Sequence, residues 1–183
     1  MQRTIADAMR SAITPRLLRT RATHHLIAAA LLALAMQTAH SGVLWGRVVK
    51  VADGDTITVL DGSLTQHKIR LAGIDAPEKA QPFGNISRLS LASQVAGREV
   101  RVHADKADRY GRTVGVVFLG GVDINRAQIE RGVAWWYRGY AREQSPAERA
   151  AYSRAEEGAR EARRGLWADA HPVAPWDWRR AGR

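Results

Sequence analysis

The sequence contains no cysteine in its 183 residues. The chain therefore forms no disulfide, binds no zinc through thiolates, offers no thiol nucleophile and carries no lipid anchor on cysteine. Clustered histidine is also missing, because the histidines beyond residue 42 stand far apart at His67, His103 and His171. A metal site in this part of the chain would have to use oxygen ligands, which suit Ca²⁺ better than Zn²⁺.

Lysine supplies only four of the 28 basic residues, so the positive charge is carried mostly by arginine. Arginine holds phosphates through paired hydrogen bonds and stacks on rings, which makes polyanions plausible partners. Solubility and a high-GC coding sequence also favour arginine, and composition alone leaves both explanations open. Hydrophobic residues make up 45% and charged residues 25% of the chain, which is typical of one globular domain.

Residues 1–41 have the pattern of a secretory signal peptide. Arginines precede an apolar run over residues 26–36, and small residues at Ala39 and Ser41 predict cleavage before Gly42. These 11 apolar residues are too few to span a bilayer as a helix. We therefore expect a periplasmic or secreted protein with no stable membrane insertion after processing. A membrane anchor retained over residues 26–36 is the alternative.

Alternating apolar residues and turn residues predict five strands and three helices. Asp-Gly pairs indicate turns after the first two strands. Ser145 and Glu148 form a capping box at the start of the last helix, and Asp123 can cap the helix before it. The strands are expected over residues 43–51, 56–60, 65–71, 98–104 and 113–119, and the helices over residues 87–96, 124–131 and 146–164.

Five strands flanked by helices fit a small closed barrel of the oligonucleotide-binding type. The predicted domain spans residues 42–168 and belongs to the α+β class. Residues 169–183 contain proline, tryptophan and arginine, and we expect them to form an irregular strap rather than a regular element.

The stretch from Ile69 to Glu78 carries the most chemistry in the sequence. Apolar residues around Arg70 indicate a strand, and Gly73 ends it in a turn that carries Asp75 and Glu78. A planar guanidinium beside two carboxylates suits a site that holds both a phosphate and a hard cation. A surface ion pair at the end of a strand is the alternative.

Two further stretches strengthen this interpretation. Residues 51–56, Val-Ala-Asp-Gly-Asp-Thr, bring a third carboxylate at Asp55, although an Asp-Gly-Asp sequence alone can be a simple hairpin turn. Residues 108–112, Asp-Arg-Tyr-Gly-Arg, place Arg112 at the start of the fifth strand, where it can meet Arg70 across one phosphate. An ion pair between Asp108 and Arg109 is the alternative for that stretch.

These blocks, together with Arg-Leu-Ala-Gly-Ile-Asp-Ala-Pro-Glu over residues 70–78, resemble the staphylococcal nuclease-like (thermonuclease) family in order and spacing. Asn125 before Gly132-Val133-Ala134-Trp135, and Gly165-Leu166-Trp167 near the end, are similar to later landmarks of that family. The resemblance covers roughly residues 44–167. It implies an oligonucleotide-binding-type barrel that carries a Ca²⁺-dependent phosphodiesterase site.

The resemblance also implies a role for each site residue. The metal ligands would be the carboxylates of Asp55 and Asp75 and the backbone carbonyl of Ala76, with Asp53 as a supporting aspartate nearby. The catalytic residues would be Arg70, Arg112 and Glu78, which acts as general base or positions the water. The residues that contact the nucleotide would be Arg109, Tyr110 and Tyr140.

By this resemblance the protein is a monomeric enzyme that hydrolyses DNA and RNA and leaves 3′-phosphate ends. Single strands are the expected preference, because aromatic side chains in a groove stack unpaired bases more readily than paired ones. The loop over residues 79–87 is shorter and less lysine-rich than in the family prototype, so the substrate preference stays open. A nucleic-acid-binding module without catalysis and a cationic membrane-surface protein are the alternatives.

Overall fold

The structure, a computed structural model, describes residues 42–182, and the predicted signal peptide lies outside the described residues. Eight strands occur in this range. They are β1 (Gly42–Val51), β2 (Thr56–Asp61), β3 (Gln66–Leu71), β4 (Ile74–Asp75), β5 (Glu99–Ala107), β6 (Thr113–Leu119), β7 (Val122–Asp123) and β8 (Trp135–Trp136).

The five long strands form a closed barrel, which confirms the predicted fold. Antiparallel neighbours follow the order β3-β2-β1-β5-β6, and parallel pairing of β3 with β6 closes the sheet on itself. The pairing register shifts in β1 after Val48 and in β5 after Ala104. Such bulges bend strands and help a small sheet to curl. The short strands β4 and β8 pair with each other outside the barrel sheet.

The barrel interior is filled by apolar side chains because successive residues of a strand point to opposite faces. β2 and β3 each contribute inward residues at alternate positions, and β5 does the same. These buried side chains include Val48, Ile57, Val59, Ile69, Leu71, Val100, Val102 and Val117.

Four α-helices of seven residues or more lie within the described range. Asp123 accepts a hydrogen bond from the Arg126 backbone N–H at 2.9 Å, and Ser145 and Glu148 form the predicted capping box. No helix in residues 42–182 is long and apolar enough to cross a membrane. The helices are α1 (Gly84–Val95), α2 (Ile124–Glu130), α3 (Pro146–Glu161) and α4 (Pro175–Ala181), with 3₁₀ helices at Arg138–Glu143 and Gly165–Ala168.

The C-terminal tail differs from the sequence-based expectation, because residues 175–181 form the helix α4 instead of an irregular strap. Pro175 occupies the first helical turn, where its fixed φ suits a helix start. Trp176 packs edge-on against Trp135, with ring centroids 5.6 Å apart. The buried Gln81 donates from Nε2 to the Val173 carbonyl at 2.7 Å. The tail is therefore docked onto the domain.

Gly132 and Gly165 lie against each other where the chain leaves α2 and where it leaves α3. Their φ angles are +67° and +54°, in the left-handed region. The Leu166 backbone N–H donates to the Gly132 carbonyl at 2.8 Å. A Cβ atom on Gly132 would lie only 2.1 Å from the Arg164 carbonyl oxygen, so this approach requires glycine.

We expect Gly132→Ala to lower the free energy of unfolding by about 2–5 kcal/mol. The left-handed backbone costs about 1–2 kcal/mol, and the forced overlap with Arg164 adds about 1–3 kcal/mol. Urea titration measures the change. Gly158→Ala is the matched control, because its Cβ meets nothing within 4 Å and alanine favours the interior of α3 by up to about 1 kcal/mol. Equal effects of the two changes would contradict this account.

Candidate active site

The stretches identified in the sequence meet at one cleft of about 650 Å³. Parallel pairing of β3 with β6 sets Ile69 opposite Thr113, so Arg70 lies beside the start of β6 and Arg112 immediately precedes it. All the predicted site residues line this cleft, while their chemical roles remain predictions. They are Asp53, Asp55, Arg70, Asp75, Ala76, Glu78, Arg109, Tyr110, Arg112 and Tyr140.

Arg70 bridges two buried aspartates at the floor of the cleft. Its Nη1 lies 3.1 Å from Asp55 Oδ2, and its Nη2 lies 3.0 Å from Asp75 Oδ1. Nη1 also donates to the Leu71 carbonyl at 3.0 Å. Only 17% of the Arg70 side chain is exposed, so its position is fixed by these acceptors. The guanidinium holds the carboxylates from β4 and from the turn before β2 side by side.

Asp55 is a buried acid at the floor of the cleft. The pKa of Asp55 is raised to about 7, chiefly by burial. The Arg70 guanidinium acts against this rise, whereas the nearby Asp53 and Asp75 add to it. Its Oδ2 accepts a hydrogen bond from the Ala76 backbone N–H at 2.7 Å, and Oδ1 lies 3.2 Å from the Thr56 hydroxyl. The single guanidinium of Arg70 therefore does not fully compensate this acidic cluster.

The turn that carries Asp53 and Asp55 is held from outside the barrel by Gln128 of α2. The fully buried Gln128 donates from Nε2 to the Gly54 carbonyl at 2.9 Å and to the Ser87 carbonyl at 3.1 Å. Asp53 accepts from the Asp55 backbone N–H at 3.1 Å. Sequence reasoning missed Gln128, because a glutamine on a short helix gives no signal of its distant partners.

β4 is positioned by a buried acid on α3. Glu156 Oε1 accepts the Trp136 backbone N–H at 3.1 Å, and Oε2 lies 2.7 Å from Arg138 Nη2. Because β8 pairs with β4, with Trp135 opposite Asp75, this contact also fixes the backbone that carries Asp75. Arg160, one helical turn on, also lies 3.4 Å from Glu156 Oε2 through its Nη2.

Arg112 is held by Asp108 at the cleft wall. Arg112 Nε lies 2.7 Å from Asp108 Oδ2, and Oδ1 accepts the Arg112 backbone N–H at 2.9 Å. Burial raises the pKa of Asp108, but hydrogen bonds from the backbone and side chain of Arg112 outweigh it, so the pKa lies below its usual value. The partner of Asp108 is Arg112 rather than Arg109, which instead donates to the Tyr110 hydroxyl at 2.8 Å.

The outer rim of the cleft is aromatic and basic. Tyr110 and Tyr140 are 68% and 52% exposed. The guanidinium carbons of Arg109 and Arg112 lie 4.9 and 5.5 Å from the Tyr110 ring centroid. Exposed rings beside arginines suit the stacking of bases and the binding of phosphates.

Arg179 of α4 reaches into the same cleft, a contact that sequence reasoning missed. Its Nη2 lies 2.7 Å from Asp75 Oδ2 and its Nη1 lies 2.7 Å from Glu78 Oε1. These two carboxylates raise the pKa of the guanidinium above its usual value, chiefly through the hydrogen bond to Asp75. The sequence Trp-Asp-Trp-Arg-Arg of residues 176–180 could have indicated a basic contact from the tail, because it places two arginines directly after two aromatic rings.

The donor set fits a hard divalent cation in its chemistry. Asp55, Asp75 and Glu78 offer oxygen atoms, with Arg70 holding the two aspartates together. Within the described residues, however, no three acidic or histidine side chains already converge as a metal-binding group. The Arg179 guanidinium bridges Asp75 and Glu78 and supplies positive charge that these two acids share.

The fold and this cleft define a barrel domain in which arginines line a cleft beside an acidic cluster. The chain matches the family described as staphylococcal nuclease homologue over residues 68–169, more than half of its length, and it belongs to that family. It is 41% identical over 162 residues to Protein ParB of Escherichia coli, which covers 84% of this chain and 89% of that protein.

Two other relatives carry nuclease names. The chain is 43% identical over 147 residues to "Micrococcal nuclease" of Shigella flexneri, with 75% of this chain and 82% of that protein covered. It is 42% identical over 134 residues to "Uncharacterized endonuclease" of Haemophilus influenzae, with 73% and 72% covered.

Proposed function

We propose that this protein is an exported, Ca²⁺-dependent phosphodiesterase that cleaves DNA and RNA, acts as a monomer, prefers single strands and leaves 3′-phosphate ends. Membership of the family and the names of its relatives support a nuclease function. The observation that carries the proposal is the shared contact of Arg70 with Asp55 and Asp75 in a cleft that also holds Arg112 and Glu78.

The arginines act on the phosphate. A phosphodiester is anionic and repels an attacking nucleophile, and negative charge grows on its non-bridging oxygens in the transition state. Planar guanidinium groups match two such oxygens at once. Arg70 and Arg112 are each fixed by a carboxylate, so their N–H groups are oriented before the substrate binds, which is the condition for strong transition-state stabilisation.

Glu78 acts on the water. It lies at the rim of the acidic cluster, and 44% of its side chain is exposed. An exposed carboxylate can accept a proton from water or orient the water toward phosphorus. Arg179 holds Glu78 in the described state, so Glu78 needs to leave this partner in order to accept that proton.

Asp55 and Asp75, with the Ala76 carbonyl, would hold Ca²⁺. When bound, the cation would neutralise phosphate charge and polarise a phosphoryl oxygen. Carboxylates and carbonyls are the ligands that Ca²⁺ prefers. Binding requires Asp75 to exchange its Arg179 contact for the cation.

A nucleic-acid-binding module without catalysis is the competing function. Such a module would need the basic rim but not a guanidinium between two buried acids. Burying Asp55 and Asp75 beside Arg70 costs desolvation energy that a binding surface alone does not require. This arrangement therefore favours catalysis.

We expect Arg70→Lys to lower kcat by roughly 10²–10⁵, the range for losing an oxyanion donor or a phosphoryl-transfer arginine. Lysine keeps the charge but loses the planar fork. Glu78→Gln should lower kcat by about 10²–10⁴. Initial rates on a single-stranded oligonucleotide and thermal midpoints of both variants are the measurements.

Arg154→Lys is the matched control for Arg70→Lys, because Arg154 is an exposed residue of α3 that does not line the cleft. It should turn over like the wild type. Folded Arg70→Lys and Glu78→Gln proteins that also turn over within a few-fold of the wild type would place the active site elsewhere.

We expect EGTA to abolish hydrolysis and millimolar Ca²⁺ to restore it. Arg179→Gln should tighten Ca²⁺ binding about 10- to 150-fold, because it removes a charge-assisted hydrogen bond, worth about 1.5–3 kcal/mol, that competes for Asp75. Isothermal titration calorimetry with Ca²⁺ alone measures this affinity. Hydrolysis that persists in EGTA would refute the metal requirement, and an unchanged affinity would refute the competition.

We expect the mature protein to begin at or near Gly42 and to occur in the periplasm or the medium. The basic, apolar and small-residue order of residues 1–41 is the reason. Cell fractionation followed by N-terminal sequencing tests this directly. Recovery of the intact N-terminus with membranes would instead show that residues 26–36 act as an anchor.

A further inference from the structure

A second cleft, of about 540 Å³, opens beside the active site. It is lined by residues of α4 and of the segment that follows β8. Its volume lies in the range of about 300–1,000 Å³ that is usual for sites of small ligands. The lining residues are Tyr137, Arg138, Gly139, Trp176, Arg179 and Arg180.

The two clefts meet. Tyr137 and Arg179 line both of them, so a chain-like ligand that leaves the first cleft past Arg179 enters the second. We propose that the second cleft is a subsite for the nucleotide that flanks the scissile one in a single strand. The proposal rests on the proposed function only in placing the scissile phosphate beside Glu78.

The walls of the second cleft offer fixed aromatic rings and positive charge, the two properties that bind a single strand. Tyr137 and Trp176 lie with ring centroids 5.3 Å apart and their planes 35° from each other. Trp176 is held by the edge of Trp135, and Tyr137 contacts Tyr140 at 5.1 Å. Rings fixed in this way form a platform on which an unpaired base can stack.

The charged residues that line the second cleft are all positive. Three of the six lining residues are arginines and none is acidic. Arg138 is fixed by the buried Glu156 and by its stacking at 4.4 Å on Trp136. Arg180 pairs with Asp177 on the surface, where 73% of the Arg180 side chain is exposed. An exposed pair of this kind is weak, so a phosphate can compete for Arg180.

Arg179 links the two sites. In the described state it binds Asp75 and Glu78. Arg179 lines both clefts, so if a cation took its place on Asp75, its guanidinium would be available at the junction, where the phosphate between the two nucleotides would pass. A duplex is a poorer occupant, because its bases are paired and stacked on each other and cannot lie on the ring platform.

Fluorescence anisotropy in EGTA tests the subsite without hydrolysis. Labelled (dT)₂ and (dT)₆ are titrated with the wild type, Arg180→Gln, Trp176→Leu, Trp176→Phe and the control Arg154→Gln, whose arginine lines neither cleft. We expect Arg180→Gln and Trp176→Leu to weaken (dT)₆ binding about three- to tenfold and to reduce its advantage over (dT)₂. Trp176→Phe should retain most of that advantage, because phenylalanine keeps a face for stacking.

The salt dependence separates a phosphate contact from a structural role. Arg180→Gln should reduce the slope of log K against log salt concentration by about 0.7, the value for one phosphate contact to a single strand. A slope and a (dT)₆ to (dT)₂ ratio unchanged from the wild type would overturn the proposal. Losses equal to those of Arg154→Gln, or equal losses for a stable DNA hairpin duplex, would overturn it as well.

These binding measurements distinguish a failure of the subsite from a failure of the proposed nuclease activity. If no condition yields hydrolysis but the variants lose length-dependent binding, the nuclease proposal fails and the subsite stands. If hydrolysis follows the proposal but the variants bind (dT)₆ like the wild type, only the subsite fails.

Discussion

The contact of Arg70 with Asp55 and Asp75 is the interaction on which the site depends. Two carboxylates held beside each other repel, and burial makes their charges costly. Arg70 offsets that repulsion from within β3, because its two nitrogens reach one aspartate each at 3.1 and 3.0 Å. The pKa of Asp55 stays raised, chiefly because the carboxyl is buried, so Arg70 does not offset the whole cost of its charge. A site of this kind has a remaining affinity for positive charge, which Arg179 satisfies in the described state.

The barrel and its helices act as supports for that contact. Closing β3 onto β6 brings Arg112 to the cleft. Asn125 secures the closure, because its buried amide joins the Ala72 and Gly115 carbonyls at 3.0 and 3.1 Å. Gln128 and Glu156 then fix the two chain segments that carry the aspartates. Each support is a buried side-chain amide or carboxylate bonded to backbone, so its loss would leave a backbone group unpaired.

Much of the fold could be predicted because its signals are local. Asp-Gly turns, the capping box at Ser145 and alternation along β5 each depend on residues within a few positions of one another. The site blocks could be predicted because they are contiguous stretches of chemistry. Gln128 and Arg179 could not, because their partners are 74 residues away at Gly54 and 104 residues away at Asp75. The tail was misjudged because its prolines suggest irregular chain, whereas Pro175 begins a helix.

The two arginines on Asp75 differ in a way that matters for function. Arg70 lies in the barrel wall with 17% of its side chain exposed, and it cannot leave without unpairing two buried acids. Arg179 comes from a terminal helix, with 40% of its side chain exposed. It can leave Asp75 without any change in the barrel, since the tail is held through Gln81 and Trp176 rather than through this contact. The acidic cluster is thus balanced by one fixed and one exchangeable cation. In the proposed function, a divalent ion that replaced the exchangeable one would keep the charge of the site compensated and would release a guanidinium at the point where the substrate strand continues.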